Sequence, residues 1–225
     1  MLLIPIRARF FYLFLDFITI LGSSRLLVPP IFCRCVSKFL IQFFILFSQL
    51  HTPSRAFNHV AVSVTDIDSA MRWYRDVIQM TLLVEPTEVT TYEKEQKNYD
   101  PHLATLVRAI FGPKLGKFKF CHMSSANGVG IELFQFIEPA SELRSEENNF
   151  EYWKTGYSHI CLTEPNIEGL ADQIASTGGK RRTDVMELAS GSGKKFCFCE
   201  DPFGNVIEIY SHSYEEFWAN AQRLS

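Results

Sequence analysis

No apolar run in this chain reaches the roughly 18 to 20 residues that a helix needs to cross a bilayer: the run 10–21 is broken by Asp16 and the run 39–47 by Gln42. An excess of basic charge is lacking too. With 22 Lys and Arg against 25 Asp and Glu, the formal net charge is -3. That offers no field to gather phosphates, so no nucleic acid is expected as a partner. Cysteine is sparse, six in 225 residues, without the density of a disulfide scaffold. Cys33-x-Cys35 and Cys197-x-Cys199 lack the two-residue gap of a zinc knuckle or redox pair and sit among phenylalanines, so they read as buried, inert thiols. Ser190-Gly-Ser-Gly-Lys194 lacks the upstream glycine and the following Ser or Thr of a phosphate loop and reads as a flexible turn. What remains, 47% hydrophobic and 21% charged residues, is the composition of a folded chain with one domain or two small ones.

The first 50 residues are a different material. They carry five basic residues (Arg7, Arg9, Arg25, Arg34, Lys38) against one acid, Asp16, and nine of the 20 Phe. Residues 1–52 are therefore set apart as a hydrophobic, basic leader or a non-native extension. Three readings stay open: a secretory or membrane-associating leader, an organelle-targeting segment, or sequence read through from a non-coding stretch. The protein is cytoplasmic on the last reading and organelle-targeted or membrane-associated, through residues 1–50, on the others.

From residue 53 onward the pattern is regular. Phe57-Asn-His59-Val-Ala-Val-Ser-Val64 alternates Val60, Val62 and Val64 on one face with His59, Ala61 and Ser63 on the other, which predicts a strand. Thr65-Asp66-Ile-Asp68 is a capping signal, followed by Ala70, Trp73, Tyr74, Val77 and Ile78 at helical spacing. Residues 116–123, a turn at 124–128 and Val129-Gly-Ile-Glu132-Leu-Phe-Gln-Phe136 predict a hairpin. A second copy follows: Tyr157-Ser-His159-Ile-Cys-Leu162, a helix over 166–176 with Ile167, Leu170, Ala171 and Ile174 inward, and the stop Gly178-Gly179. Its hairpin is formed by 195–200, the turn Asp201-Pro-Phe-Gly-Asn205, and Val206-Ile-Glu208-Ile-Tyr210. The repeat implies two strand-helix-strands modules that cover one another's sheets, one over 57–137 and one over 156–212. His59 to Glu132 spans 73 positions and His159 to Glu208 spans 49. The excess predicts an insertion within 90–115, where Leu103, Leu106, Val107 and Ile110 suggest a short amphipathic helix lying over the site as a lid. The tail 213–225, with Phe217 and Trp218, predicts a final helix.

Each module places a histidine on its first strand and a glutamate on its last, flanked by apolar residues facing the other way. A carboxylate so placed must be paired, protonated or metal-bound, and two carboxylates beside two imidazoles suit zinc, nickel, cobalt, iron or manganese. His122, on the first hairpin beside Cys121, reads as a surface or core histidine, with a place behind the site as the alternative.

Phe57-Asn-His59-Val-Ala-Val-Ser-Val, Gly130-Ile-Glu132-Leu, Gly156-Tyr-Ser-His159-Ile and Glu200-Asp-Pro-Phe-Gly-Asn-Val-Ile-Glu208-Ile together resemble the vicinal-oxygen-chelate superfamily, which includes glyoxalase I, extradiol dioxygenases and bleomycin-resistance proteins. The resemblance implies an α+β fold in which two βαβββ modules form a cupped, barrel-like sheet around one divalent metal held by His59, Glu132, His159 and Glu208. It implies an enzyme, a glyoxalase I-like lyase or an isomerase. Such an enzyme acts on a small molecule with vicinal oxygens by metal-assisted proton transfer through an enediolate, with Glu208 or Glu132 as the catalytic carboxylate and Glu208 favoured. The arginine and asparagine that bind glutathione in bacterial relatives are replaced here by Ser63 and Phe136, so glutathione specificity is not expected. Phe134, Phe136 and Tyr210, with Ser63, are the expected substrate pocket. Two alternatives stay open: an iron extradiol-type dioxygenase using His59, His159 and Glu208, and a metal-free, resistance-type binding protein. The sequence also leaves open whether one chain completes the site or two copies exchange modules as a homodimer.

Overall fold

In the computed structural model, residues 55–93, 100–143 and 153–219 are described. The leader at 1–52, with Cys33 and Cys35, lies outside them, as do the middle of the insertion and the last residues of the tail. Among the described residues no helix is long and apolar enough to cross a membrane.

The alternation at the start of the first module does form a strand. β1 (His59–Ser63) turns Val62 into the core and leaves Ala61 and Ser63 exposed. Asp66 caps α1 (Ile67–Asp76), its side chain accepting from the Ser69 N–H at 3.1 Å, and the helix buries Ile67, Ala70, Met71, Trp73 and Tyr74. Then come β2 (Thr81–Thr90), α2 (Pro101–Phe111), β3 (Lys117–Ser124) and β4 (Gly130–Glu138). The sheet order is β1-β4-β3-β2, with β1 parallel to β4 and the other pairs antiparallel.

The second module repeats this order. β5 (Ile160–Thr163) pairs in parallel with β9 (Val206–Tyr210), and α3 (Ile167–Ser176) lies between them in sequence. β8 (Lys195–Glu200) is antiparallel to β9. The strand corresponding to β2 is broken into β6 (Lys180–Arg181) and β7 (Met186–Glu187), both pairing with β8. After α3, Gly178 takes the left-handed conformation at φ 96°. A side chain at Gly179 would put its Cβ 2.5 Å from the Glu200 carbonyl oxygen and 2.7 Å from Ile174, so both glycines are required there. Ser213 begins α4 (Tyr214–Trp218) with a complete capping box to Glu216.

One hydrophobic core runs through both modules. It joins the inward faces of α1 and α3 to Val62, Val64, Ile131 and Leu133 of the first sheet and Cys197, Cys199, Ile207 and Ile209 of the second. Three polar links span the halves: Tyr74 Oη donates to Asp201 Oδ2 at 2.8 Å in a buried setting, Trp73 Nε1 donates to Thr177 Oγ1, and Asn205 Nδ2 donates to the Ser63 carbonyl. A smaller core (Val89, Val107, Leu115 and Phe118) sits under α2.

The single cupped, barrel-like sheet expected from the resemblance is not formed. The two sheets stay separate, because β1 and β5 each have a ladder partner on one side only and end their sheets as edges.

Candidate functional site

The faces of the two sheets turned away from the shared core carry the chemistry. On β1 and β4 these are His59, Ala61 and Ser63 with Glu132, Phe134 and Phe136. On β5 and β9 they are Cys161 with Glu208 and Tyr210, and His159 just before β5 adjoins them. Asn58 Oδ1, an acceptor only, receives the His59 Nδ1 proton at 2.7 Å. A neutral His59 therefore turns the lone pair of Nε2 toward Glu132 Oε2, 3.5 Å away. Two acceptors facing each other call for a cation between them, a proton or a metal ion. The second module repeats the arrangement, with His159 Nδ1 2.9 Å from Ser158 Oγ, a hydroxyl that can donate or accept, and Nε2 3.1 Å from Glu208 Oε2. Such an anchor on the far ring nitrogen is the usual support of a metal-binding imidazole.

The two halves differ in setting. The Glu132 side chain is 24% exposed and that of Glu208 10%. Beside Glu208, burial and the carboxylate push the Cys161 thiol up to about 12 and, in the same order, the Tyr210 phenol up to about 12. Tyr210 is not free to line an open pocket, since it is stacked on Phe217 of α4, centroids 3.9 Å apart and planes 15° apart, and both are buried. Ser63 lies on the exposed face. Phe134 and Phe136 stack on each other at 5.9 Å and are half-buried. Phe111 of α2 meets both edge-on, so the inserted helix covers the aromatic end of the face and leaves its polar end open.

The structure brings the sequence-predicted ligands together in pairs, His59 with Glu132 and His159 with Glu208. Among the described residues no three His, Cys, Asp or Glu side chains of one chain converge closely enough to hold a metal ion. The donor types, imidazole nitrogen and carboxylate oxygen, are of the kind that hold a divalent cation.

His122 lies beside Glu132. It stands directly across the hairpin from Glu132, and its Nδ1 is 3.3 Å from Glu132 Oε1. The signal was the hairpin register: a turn centred on 127 pairs 122 with 132. Of the cysteines, Cys197 and Cys199 are buried as expected, whereas Cys161 is on the exposed face beside Glu208.

A parallel first strand, a covering helix and an antiparallel hairpin, present twice with a His–Glu pair in each copy, define a duplicated βαβββ protein. The model of the Glyoxalase/Bleomycin resistance protein/Dioxygenase superfamily matches residues 56–209, and the chain belongs to that superfamily. It is similar to a lactoylglutathione lyase of Schizosaccharomyces pombe, 24% identical over 163 residues, a match covering 72% of this chain and 49% of that protein. The chain thus spans about half the length of this curated relative. Among solved structures it resembles a glyoxalase family protein from Bacillus cereus, with TM-score 0.53 and 16% identity over 71% of this chain and 95% of that one. Glyoxalase I from Zea mays also matches, with TM-score 0.43 and 18% identity over 69% of this chain and 44% of that one.

Proposed function

We propose that the protein is a metal-dependent glyoxalase I-like lyase or isomerase whose centre is completed by two copies of the chain. One observation carries this reading: both modules present an imidazole anchored at Nδ1, with Nε2 aimed at a last-strand carboxylate. His59 and Glu132 of one copy, with His159 and Glu208 of the other, would hold one divalent ion; zinc, nickel, cobalt, iron and manganese all fit these donors. A second copy is favoured over closure within one chain. The continuous core and the buried Tyr74–Asp201 bond fix the two halves against each other, and closing them would break both.

A bound ion would supply Lewis acidity to vicinal oxygens of the substrate and so acidify the adjacent carbon. Glu208 moves the proton, taking it from that carbon and returning it to the neighbouring one. Its low exposure limits competing hydration of the carboxylate. Cys161 and Tyr210 beside it hold their protons at neutral pH, so neither competes as a base. The substrate is a small molecule with vicinal oxygens and an apolar arm, which Phe120, Phe134 and Phe136 receive. With Ser63 and Phe136 where bacterial relatives carry glutathione-binding groups, no cation or amide is offered there to the carboxylates of that peptide.

The test is elemental analysis of the purified chain. The wild type is expected to carry about one divalent metal per chain, and Glu132→Ala and Glu208→Ala each to lose it. Mixing these two variants in equal amounts under conditions that exchange subunits makes half of the dimers mixed, each with one intact site of two, so metal uptake returns to about a quarter of the wild-type level. Metal-free wild type overturns the metal reading, and a metal-loaded wild type with no recovery on mixing overturns the shared site.

A further inference from the structure

The modules are copies, but their sites are not equivalent. Opposite Glu132 on the neighbouring strand stands His122; opposite Glu208, at the corresponding place, stands Phe198. Glu132 therefore has an imidazole near each oxygen, His59 Nε2 3.5 Å from Oε2 and His122 Nδ1 3.3 Å from Oε1, whereas Glu208 has only His159. The His122 ring is itself fixed, meeting Phe120 edge-on at 5.3 Å, while in the second module Phe198 meets the His159 ring edge-on at 5.6 Å. The same cross-strand position thus steadies the carboxylate in one module and the histidine in the other.

We propose that His122 is a positioning residue that holds Oε1 of Glu132 and so presents Oε2 alone, at a fixed orientation, to the cation shared with His59. This rests on the metal-site reading above. A glutamate side chain can rotate about its last bond and offer either oxygen, or both. An imidazole nitrogen held against one oxygen limits that freedom before the ion arrives, so less ordering remains to oppose binding. His122 acts through Glu132 and is not a further ligand: among the described residues no His, Cys, Asp or Glu trio converges closely enough to hold an ion.

The experiment is cobalt(II) titration of the full chain, followed by visible absorption, for wild type, His122→Phe and His122→Gln. Thermal melts of the metal-free proteins serve as the folding control. His122→Phe copies the second module, and is expected to melt like wild type but to bind cobalt about 10- to 100-fold more weakly, with a changed absorption band. His122→Gln, which keeps an N–H donor, recovers most of the affinity. Cobalt affinity and spectrum within twofold of wild type in His122→Phe would overturn the proposal while leaving the metal site intact. So would a Gln variant no better than Phe, which would make the loss one of packing. Wild type that binds no cobalt would remove the metal site and this role with it.

Discussion

Tyr74→Phe tests how firmly the two modules are joined. The substitution removes one hydroxyl from a buried ring and leaves its packing unchanged. The lost hydrogen bond, 2.8 Å to Asp201 Oδ2, ends on a carboxylate that also accepts from Asn205 Nδ2 at 2.9 Å and, through Oδ1, from the Phe203 and Asn205 N–H groups. No atom is orphaned, so the cost falls at the low end for a bond to a charged group, about 1.5 kcal/mol. For a unit of this size that lowers Tm by about 3–6 °C. The cost also depends on pH. Burial raises the Asp201 carboxyl above its ordinary value, and the hydrogen bonds from Asn205, Tyr74 and Phe203 oppose that rise. A group raised in the native state lends stability that is complete below the unfolded value and is lost as pH rises through the native one. Without Tyr74 Oη the native value moves higher still, so the loss extends over a wider window and is larger by neutral pH. Urea unfolding at pH 7 and near pH 4 should therefore give about 1.5 kcal/mol in the first case and clearly less in the second. A cost below about 0.5 kcal/mol at pH 7, or one equal at both pH values, would refute the argument.

Two further outcomes follow from the second module. Phe217→Ala removes a fully buried ring stacked on Tyr210 and is expected to cost about 3–5 kcal/mol in chemical denaturation; a loss under about 1 kcal/mol would mean that α4 does not hold the tail in place. Cys161, pushed up to about 12 by burial and by Glu208, should alkylate roughly 30- to 60-fold more slowly at pH 8 than an ordinary thiol of pKa near 9, the scarcity of thiolate being partly offset by its greater nucleophilicity. Glu208→Gln removes the negative charge, lowers the thiol pKa and should speed labelling at Cys161 about tenfold in metal-stripped protein, as read by mass spectrometry. Unchanged labelling would place the carboxylate away from the sulfur.

The repeat was legible because each element announced itself locally. Alternating valines marked β1, the Asp66 cap marked α1, and the Asp201-Pro-Phe-Gly-Asn205 turn fixed the second hairpin and, with it, the facing of Glu208. The helix in the insertion was legible too, but not its inner face. Of Leu103, Leu106, Val107 and Ile110, which the spacing picks out, Val107 is buried and the other three are exposed, while Ala104 is buried beside Val107 and Phe111 reaches the aromatic wall. Small residues face the sheet in the middle of the helix because Phe118, Phe120, Phe134 and Phe136 of the sheet already fill that space. The separation of the two sheets was not legible, since alternation along a strand says which side is buried and nothing about which edge finds a partner. The break between β6 and β7 was hidden for a similar reason: two-residue strands carry no period.

Duplication made both halves alike, and what each half has since acquired explains the differences between them. In the second module the aromatic end of the site face is closed by α4. Phe217 stacks on Tyr210 and meets Phe196 edge-on, and Lys194 Nζ donates to the Phe217 carbonyl. No ligand can use that surface without displacing a fully buried ring. In the first module the corresponding end is covered by α2 through Phe111, which is 38% exposed, so a cover is present but not sealed. Of the two apolar walls, the less sealed is therefore the first module's, next to a carboxylate with imidazole nitrogens 3.5 and 3.3 Å from its oxygens. Under the function proposed above, the proton transfer falls to the more deeply buried Glu208. The division fits a site in which one half grips and the other half moves the proton, and it gives a reason for two modules that a symmetric pair of identical half-sites would lack.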